Sequence, residues 1–148
     1  MSTTFKGRAA LPGNVEGSAE VSHTGFNTCA TYIEVMISGS NSGVCKDHDN
    51  PDLFNRDLKD KILCIPQTVG SSSAATLFMI ILERNLAPKA MLFANHIDSL
   101  AACGLLMGDN WLGKRIVTVD MLGDEFLNTV KPGDSVKIHE DGTIEINA

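Results

Sequence analysis

The chain has 148 residues, a formal net charge of −6, 43% hydrophobic and 20% charged residues. That length fits one domain, spanning 1–148, and the composition is ordinarily globular, which excludes long disorder. The acidic balance disfavours nucleic acid and anionic membrane surfaces as partners, but not a small anionic substrate, which responds to the local field.

The N-terminus, MSTTFKGRAA, has no apolar h-region. The most apolar run, Leu77 to Leu82, is far shorter than the ~20 residues that span a bilayer. These features predict a soluble, cytoplasmic chain without a membrane partner.

The first half reads as β. A strand is expected over Thr4–Leu11, ended by Pro12-Gly13, with a second turn at Gly17. A short alternating strand follows at Ser18–Ser22. Thr31–Ile37 puts Ile33, Val35 and Ile37 on one face, the pattern of a half-buried strand. Ser38–Gly43 is a loop of turn formers. Cys45–Asp60 is polar and reads as an exposed connection with one helical turn at Asp52–Asn55.

The second half alternates. Apolar runs at Lys61–Pro66, Lys89–Ala94 and Arg115–Asp120 are separated by helices predicted at Ser72–Arg84 and Ile97–Met107, the latter ending at Gly108. Asp124–Thr129 makes a short helix. Val130–Ile146 is a hairpin turned by Asp141-Gly142. Strands alternating with helices imply parallel pairing, so the fold class is mixed α/β.

The four cysteines, Cys29, Cys45, Cys64 and Cys103, have no tight ligand spacing, so this chain is expected to hold no metal of its own. Cys64 and Cys103 read as small hydrophobes in a strand and a helix. His48 among carboxylates reads as surface loop, and His96 as a helix start. Trp111, the single tryptophan, reads either as a cover for the core or as an anchor for a partner.

One segment carries chemistry. In PQTVGSSSAAT, Pro66 to Thr76, an apolar strand ends, a glycine turns the chain and three serines open a helix. Ligands of open α/β sheets bind beyond the carboxyl ends of the strands. Unpaired N–H groups at a helix start hold anions and can stabilise an alkoxide. Serine is equally a preferred helix cap, so the same residues have a purely structural reading. GSSS lacks the lysine of a phosphate-binding P-loop and is not a GxSxG nucleophile elbow.

The opening KGRAALPGNVEGSAEVS, the segment KILCIPQTVGSSSAAT, the Ala87-Pro88 step to Ala90 and the closing KPGDSVKI together resemble the small subunit, or swivelling domain, of the aconitase-X hydro-lyases. The resemblance implies a three-layer β/β/α swivelling fold. It also implies a large partner subunit that binds an iron–sulfur cluster, and a site between the two. By that resemblance Ser71 is the base that takes the substrate's α-proton, while Gly70, Ser72 and Ser73 bind substrate. GSSSAAT favours the branch that dehydrates cis-3-hydroxy-L-proline to a pyrroline carboxylate over the phosphomevalonate dehydratase branch. In TGFNTCATYIEVMISGSNSGVCKDHDNP the chain departs from the family, leaving Asn27, Thr28 and Cys29 either in the cleft or in an ordinary turn. A reading of another class is a regulatory module that docks on an enzyme and brings no catalytic group.

Overall fold

The computed structural model describes residues 1–147. In chain order come β1 (Ser2–Lys6), β2 (Arg8–Leu11), β3 (Val15–Val21), β4 (Phe26–Asn27), α1 (Thr28–Thr31) and α2 (Ile33–Ser38). After a long irregular segment follow β5 (Ile62–Ile65), β6 (Thr68–Val69), α3 (Ala74–Glu83), β7 (Ala90–Phe93), α4 (Ser99–Leu112), β8 (Val117–Asp120), α5 (Asp124–Thr129), β9 (Ser135–Ile138) and β10 (Thr143–Asn147). No helix among the described residues is long and apolar enough to cross a membrane.

The main hydrogen-bonded array runs β1-β10-β9-β3-β5-β7-β8-β2. It folds over on itself through β3. Val15–Ser18 pair antiparallel with β9, whereas Ala19–Val21 pair parallel with β5. An antiparallel sheet (β1, β10, β9 and the start of β3) is thereby joined to a parallel one (the end of β3, β5, β7, β8), with β2 antiparallel at the far edge.

Side chains alternate across the parallel strands, and this creates two cores. Ile62, Cys64, Ala90, Leu92, Val117 and Val119 face the antiparallel sheet, meeting Val136, Ile138, Ile144, Ile146 and Phe126 of α5. Leu63, Ile65, Met91 and Phe93 point the other way, onto Leu77, Phe78 and Ile81 of α3 and Ala101 and Leu105 of α4. The layers are sheet, sheet and helices, as expected for a β/β/α domain. Strands buried on both faces read as continuous apolar runs, which is why ILCI and AMLF stand out in the sequence.

Several local expectations are corrected. Thr31–Ile37 is not a strand: α1 and α2 occupy it, and Ile37 is 75% exposed. The alternating β-branched pattern is overridden because the segment has no strand beside it and is bounded by helix caps, Asn27 before α1 and left-handed Gly39 after α2. The expected strand over Thr4–Leu11 divides at Gly7, β1 joining one sheet and β2 the other. A side chain at Gly7 would meet the Asp120 carbonyl at 2.5 Å. Gly17 lies within β3, not in a turn.

The polar segment Cys45–Asp60 is a connection exposed over half its residues, as expected, but it is pinned to the core. Cys45, Leu53 and Leu58 are fully buried, Asn50 is nearly so, and Asp52–Asn55 forms turns without a helix. The α4 helix runs past Gly108 to Leu112, with Gly113 in the left-handed conformation as its cap. Cys103 lies on the exposed side of α4. Cys64 is buried as expected, and desolvation pushes its thiol far up, keeping it neutral.

Candidate active site at the carboxyl ends of the parallel strands

Three of the parallel strands, β5, β7 and β8, deliver a polar group to one rim. After β5, Gln67 accepts a hydrogen bond from the Asn95 amide, 3.0 Å away, at the end of β7. The next residue, Thr68, donates from its backbone N–H and its hydroxyl to Asp98, at 2.8 and 2.5 Å. Asp98 in turn accepts from the Ala101 N–H at 3.0 Å and so caps α4. One carboxylate therefore ties the start of α4 to β6.

At the edge, Asp120 is fully buried. It accepts two bonds from the Arg8 guanidinium, Nε at 2.9 and Nη2 at 2.6 Å, and a third from the Ile97 N–H at 2.7 Å. Arg8 Nη2 also lies 3.3 Å from His96 Nε2. Because arginine only donates, that nitrogen accepts, and His96 Nδ1–H donates to the Ile97 carbonyl at 2.7 Å. His96 is therefore held in a loop before the helix; the helix itself starts after Asp98.

The serine turn stands on the helix side of this rim. β6 pairs in parallel with β4, Phe26 opposite Thr68 and Asn27 opposite Val69. Gly70 follows with φ +104°, a conformation that glycine tolerates and other residues avoid. Ser71, Ser72 and Ser73 are all exposed, and the helix proper begins at Ala74. Ser71 Oγ accepts the Ser73 N–H at 3.2 Å and donates to Ser73 Oγ at 3.2 Å. The Ser71 carbonyl accepts the Ala74 N–H.

The four residues singled out from the sequence, Gly70, Ser71, Ser72 and Ser73, thus form one solvent-facing turn where an α/β sheet binds ligands. Two neighbours join them that the sequence left undecided. The Asn27 side chain lies against Gly70, and Cys29 Sγ is 4.0 Å from the Ser71 carbonyl oxygen. Thr28 is fully buried beside them, its hydroxyl without a hydrogen-bond partner among the described residues. His48 stacks on Phe54, ring centroids 4.3 Å apart, away from the turn. Trp111 sits in the last turn of α4, 72% exposed, so it does not cover the core. That places it roughly 20 Å along the helix from Asp98.

The Arg8–Asp120–His96 network and the Asp98 bridge were not anticipated. Asp98 carried a signal, an N-cap residue directly before an apolar periodic stretch. Arg8 and Asp120 carried none, being 112 residues apart. Among the described residues, no three His, Cys, Asp or Glu side chains gather as a metal site would need.

The sequence pattern described as "Aconitase X swivel domain" matches residues 4–146. In fold, the chain is similar to the crystal structure of Thermococcus kodakaraensis aconitase X in its holo form, with TM-score 0.81, 24% identity and coverage of 99% of each chain. It is also similar to a UPF0107 protein solved by NMR, with TM-score 0.77, 22% identity and coverage of 99% of this chain and 100% of that one. No curated protein matches it. With almost its whole length inside that pattern, the chain belongs to the aconitase X swivel-domain family.

Proposed function

We propose that this chain is the small subunit of an aconitase-X type hydro-lyase, that it acts with a large partner subunit, and that Ser71 is its catalytic base. The observation that carries this reading is the exposed Ser71 hydroxyl, held at the carboxyl ends of the parallel strands by the Ser73 N–H. An alkoxide at Ser71 would keep that N–H bond and gain the Ser73 hydroxyl, which can turn to donate. In the open chain water competes for those donors. Covering the turn with the partner removes the water and strengthens both.

The substrate class proposed is a small hydroxy acid, cis-3-hydroxy-L-proline first. Ser71 takes the α-proton. The electron pair of the broken C–H bond forms the new double bond as the 3-hydroxyl leaves with a proton as water. The resulting enamine tautomerises to pyrroline-2-carboxylate. The iron–sulfur cluster belongs in this proposal to the partner, where the chemistry it supplies is Lewis-acid activation of the substrate's carboxylate and hydroxyl. Gly70 would meet the substrate through its backbone in the turn, and Ser72 and Ser73 offer further donors.

A second reading rests on the same atoms. The Ser71 Oγ bond to the Ser73 N–H is also a helix-entry contact, and a docking module without catalytic groups would need no more. Ser71→Ala in the assembled complex separates the two. Loss of a general base predicts an intact complex with kcat reduced by roughly 10²–10⁴. A cap predicts near-normal turnover and a loss of about 1 kcal/mol of stability. Activity on phosphomevalonate in place of hydroxyproline would keep the hydro-lyase reading and change the substrate.

A further inference from the structure

We infer that Asn27 is a substrate-binding residue of the same site, its side-chain Nδ2 donating to the substrate carboxylate as negative charge builds on it; the assignment rests on reading Ser71 as the base. Three observations converge on it. First, the amide has a fixed orientation. Asn27 Oδ1 accepts the Ala30 N–H at 3.0 Å, and the reverse orientation would set N–H against N–H. The oxygen is thereby committed to capping α1, and Nδ2 points elsewhere.

Second, Nδ2 has no hydrogen-bond partner among the described residues, although Asn27 is half-buried. A cap needs only the oxygen. Ser, Thr or Asp would serve α1 equally well, so capping does not account for the amide nitrogen.

Third, the amide lies at the serine turn. The β4–β6 register sets Asn27 opposite Val69, the residue before Gly70. A Cβ built on Gly70 would lie 2.7 Å from Asn27 Oδ1 and 2.9 Å from its Cγ and Nδ2. The side-chain amide therefore occupies the space a side chain at position 70 would fill, one residue before Ser71. Removing the α-proton shifts charge into the adjoining carboxylate. A fixed, uncommitted N–H donor beside the base is suited to receive that charge, because it need not reorganise as the charge develops.

The test uses the purified complex of this chain with its large partner. Asn27→Asp keeps the capping oxygen but replaces the donor with a second acceptor. The inference predicts normal assembly, an unchanged melting temperature, and kcat/KM lowered by about 100-fold or more, mostly in kcat. Asn27→Ser, which keeps a cap oxygen without added charge, should lose activity to a similar degree, and it decides the matter if Asn27→Asp fails to assemble. Turnover within about threefold of wild type in either assembled variant overturns the inference and leaves Asn27 a cap. Ser71→Ala, assayed alongside, keeps the two readings apart. An inactive Ser71→Ala beside an active Asn27→Asp sinks only the role of Asn27. An active Ser71→Ala, or a wild-type complex inert toward both cis-3-hydroxy-L-proline and phosphomevalonate, sinks the parent reading and this one together.

Discussion

Asp120 shows what a single residue does for the site. Its carboxylate is fully buried and would be costly to leave alone, yet three donors satisfy it. Arg8 brings two of them from the edge strand while its side chain stays 53% exposed. Replacing Arg8 with Met strands a buried charge. The variant should unfold at a lower urea concentration than wild type, because Asp120 then keeps only the Ile97 N–H. Asp120→Asn in the same background should recover part of the difference, because the uncompensated charge is then gone. None of this could be read from KGRAALP and RIVTVD separately: the pairing exists only once β2 lies against β8. The position of the serine turn was legible because its signal is local, a strand end, a glycine and serines within a few residues. The nearness of Asn27 to that turn was not, because it depends on β4 pairing with a strand some forty residues later.

Between elements, the closest packing is that of α3 on α4. Gly104 and Gly108 of α4 are both buried, and a Cβ at Gly104 would stand 2.6 Å from Phe78 Cδ2. In an isolated helix Gly→Ala gains about 1 kcal/mol. Here Gly104→Ala should instead lose about 1–2 kcal/mol in denaturant unfolding, because overpacking against Phe78 outweighs the gain in propensity. Stabilisation by Gly104→Ala would mean that the two helices have room to separate. Gly108 packs in the same way against Leu82 of α3, which explains the misplaced helix end there: a glycine that lets helices approach looks the same in sequence as one that stops a helix. Thr31–Ile37 failed for a related reason. Period-2 hydrophobicity marks a strand only where a neighbouring strand exists, and caps at Asn27 and Gly39 decided the local structure instead.

Across the whole molecule, the parallel layer was legible because βαβ units are local in sequence and buried on both faces. The antiparallel layer was only half legible. The hairpin announced itself at Asp141-Gly142, but its pairing with β1 and β3 joins chain ends that no local pattern connects. Two exposed or partly exposed carboxylates sit where such distant pieces meet, and they make the assembly acid-sensitive. Asp141 is held well below the ordinary carboxylate range by hydrogen bonds from Thr143, with help from Lys6 of β1. Asp109, near the end of α4, is lowered by the Arg115 guanidinium, which also donates to the Pro12 carbonyl. Both groups are more acidic folded than unfolded. Their contribution is therefore present above the ordinary carboxylate pKa of about 4 and is lost as pH falls through the lower folded values. The double variant Asp109→Asn/Asp141→Asn should melt below wild type at pH 7, and the gap should narrow steadily as the buffer is taken toward about pH 2. Added salt should narrow it too, since both pairs are open to solvent. A gap that stays constant with pH would show that the two residues act through their neutral hydrogen bonds, and that acid opens the domain elsewhere.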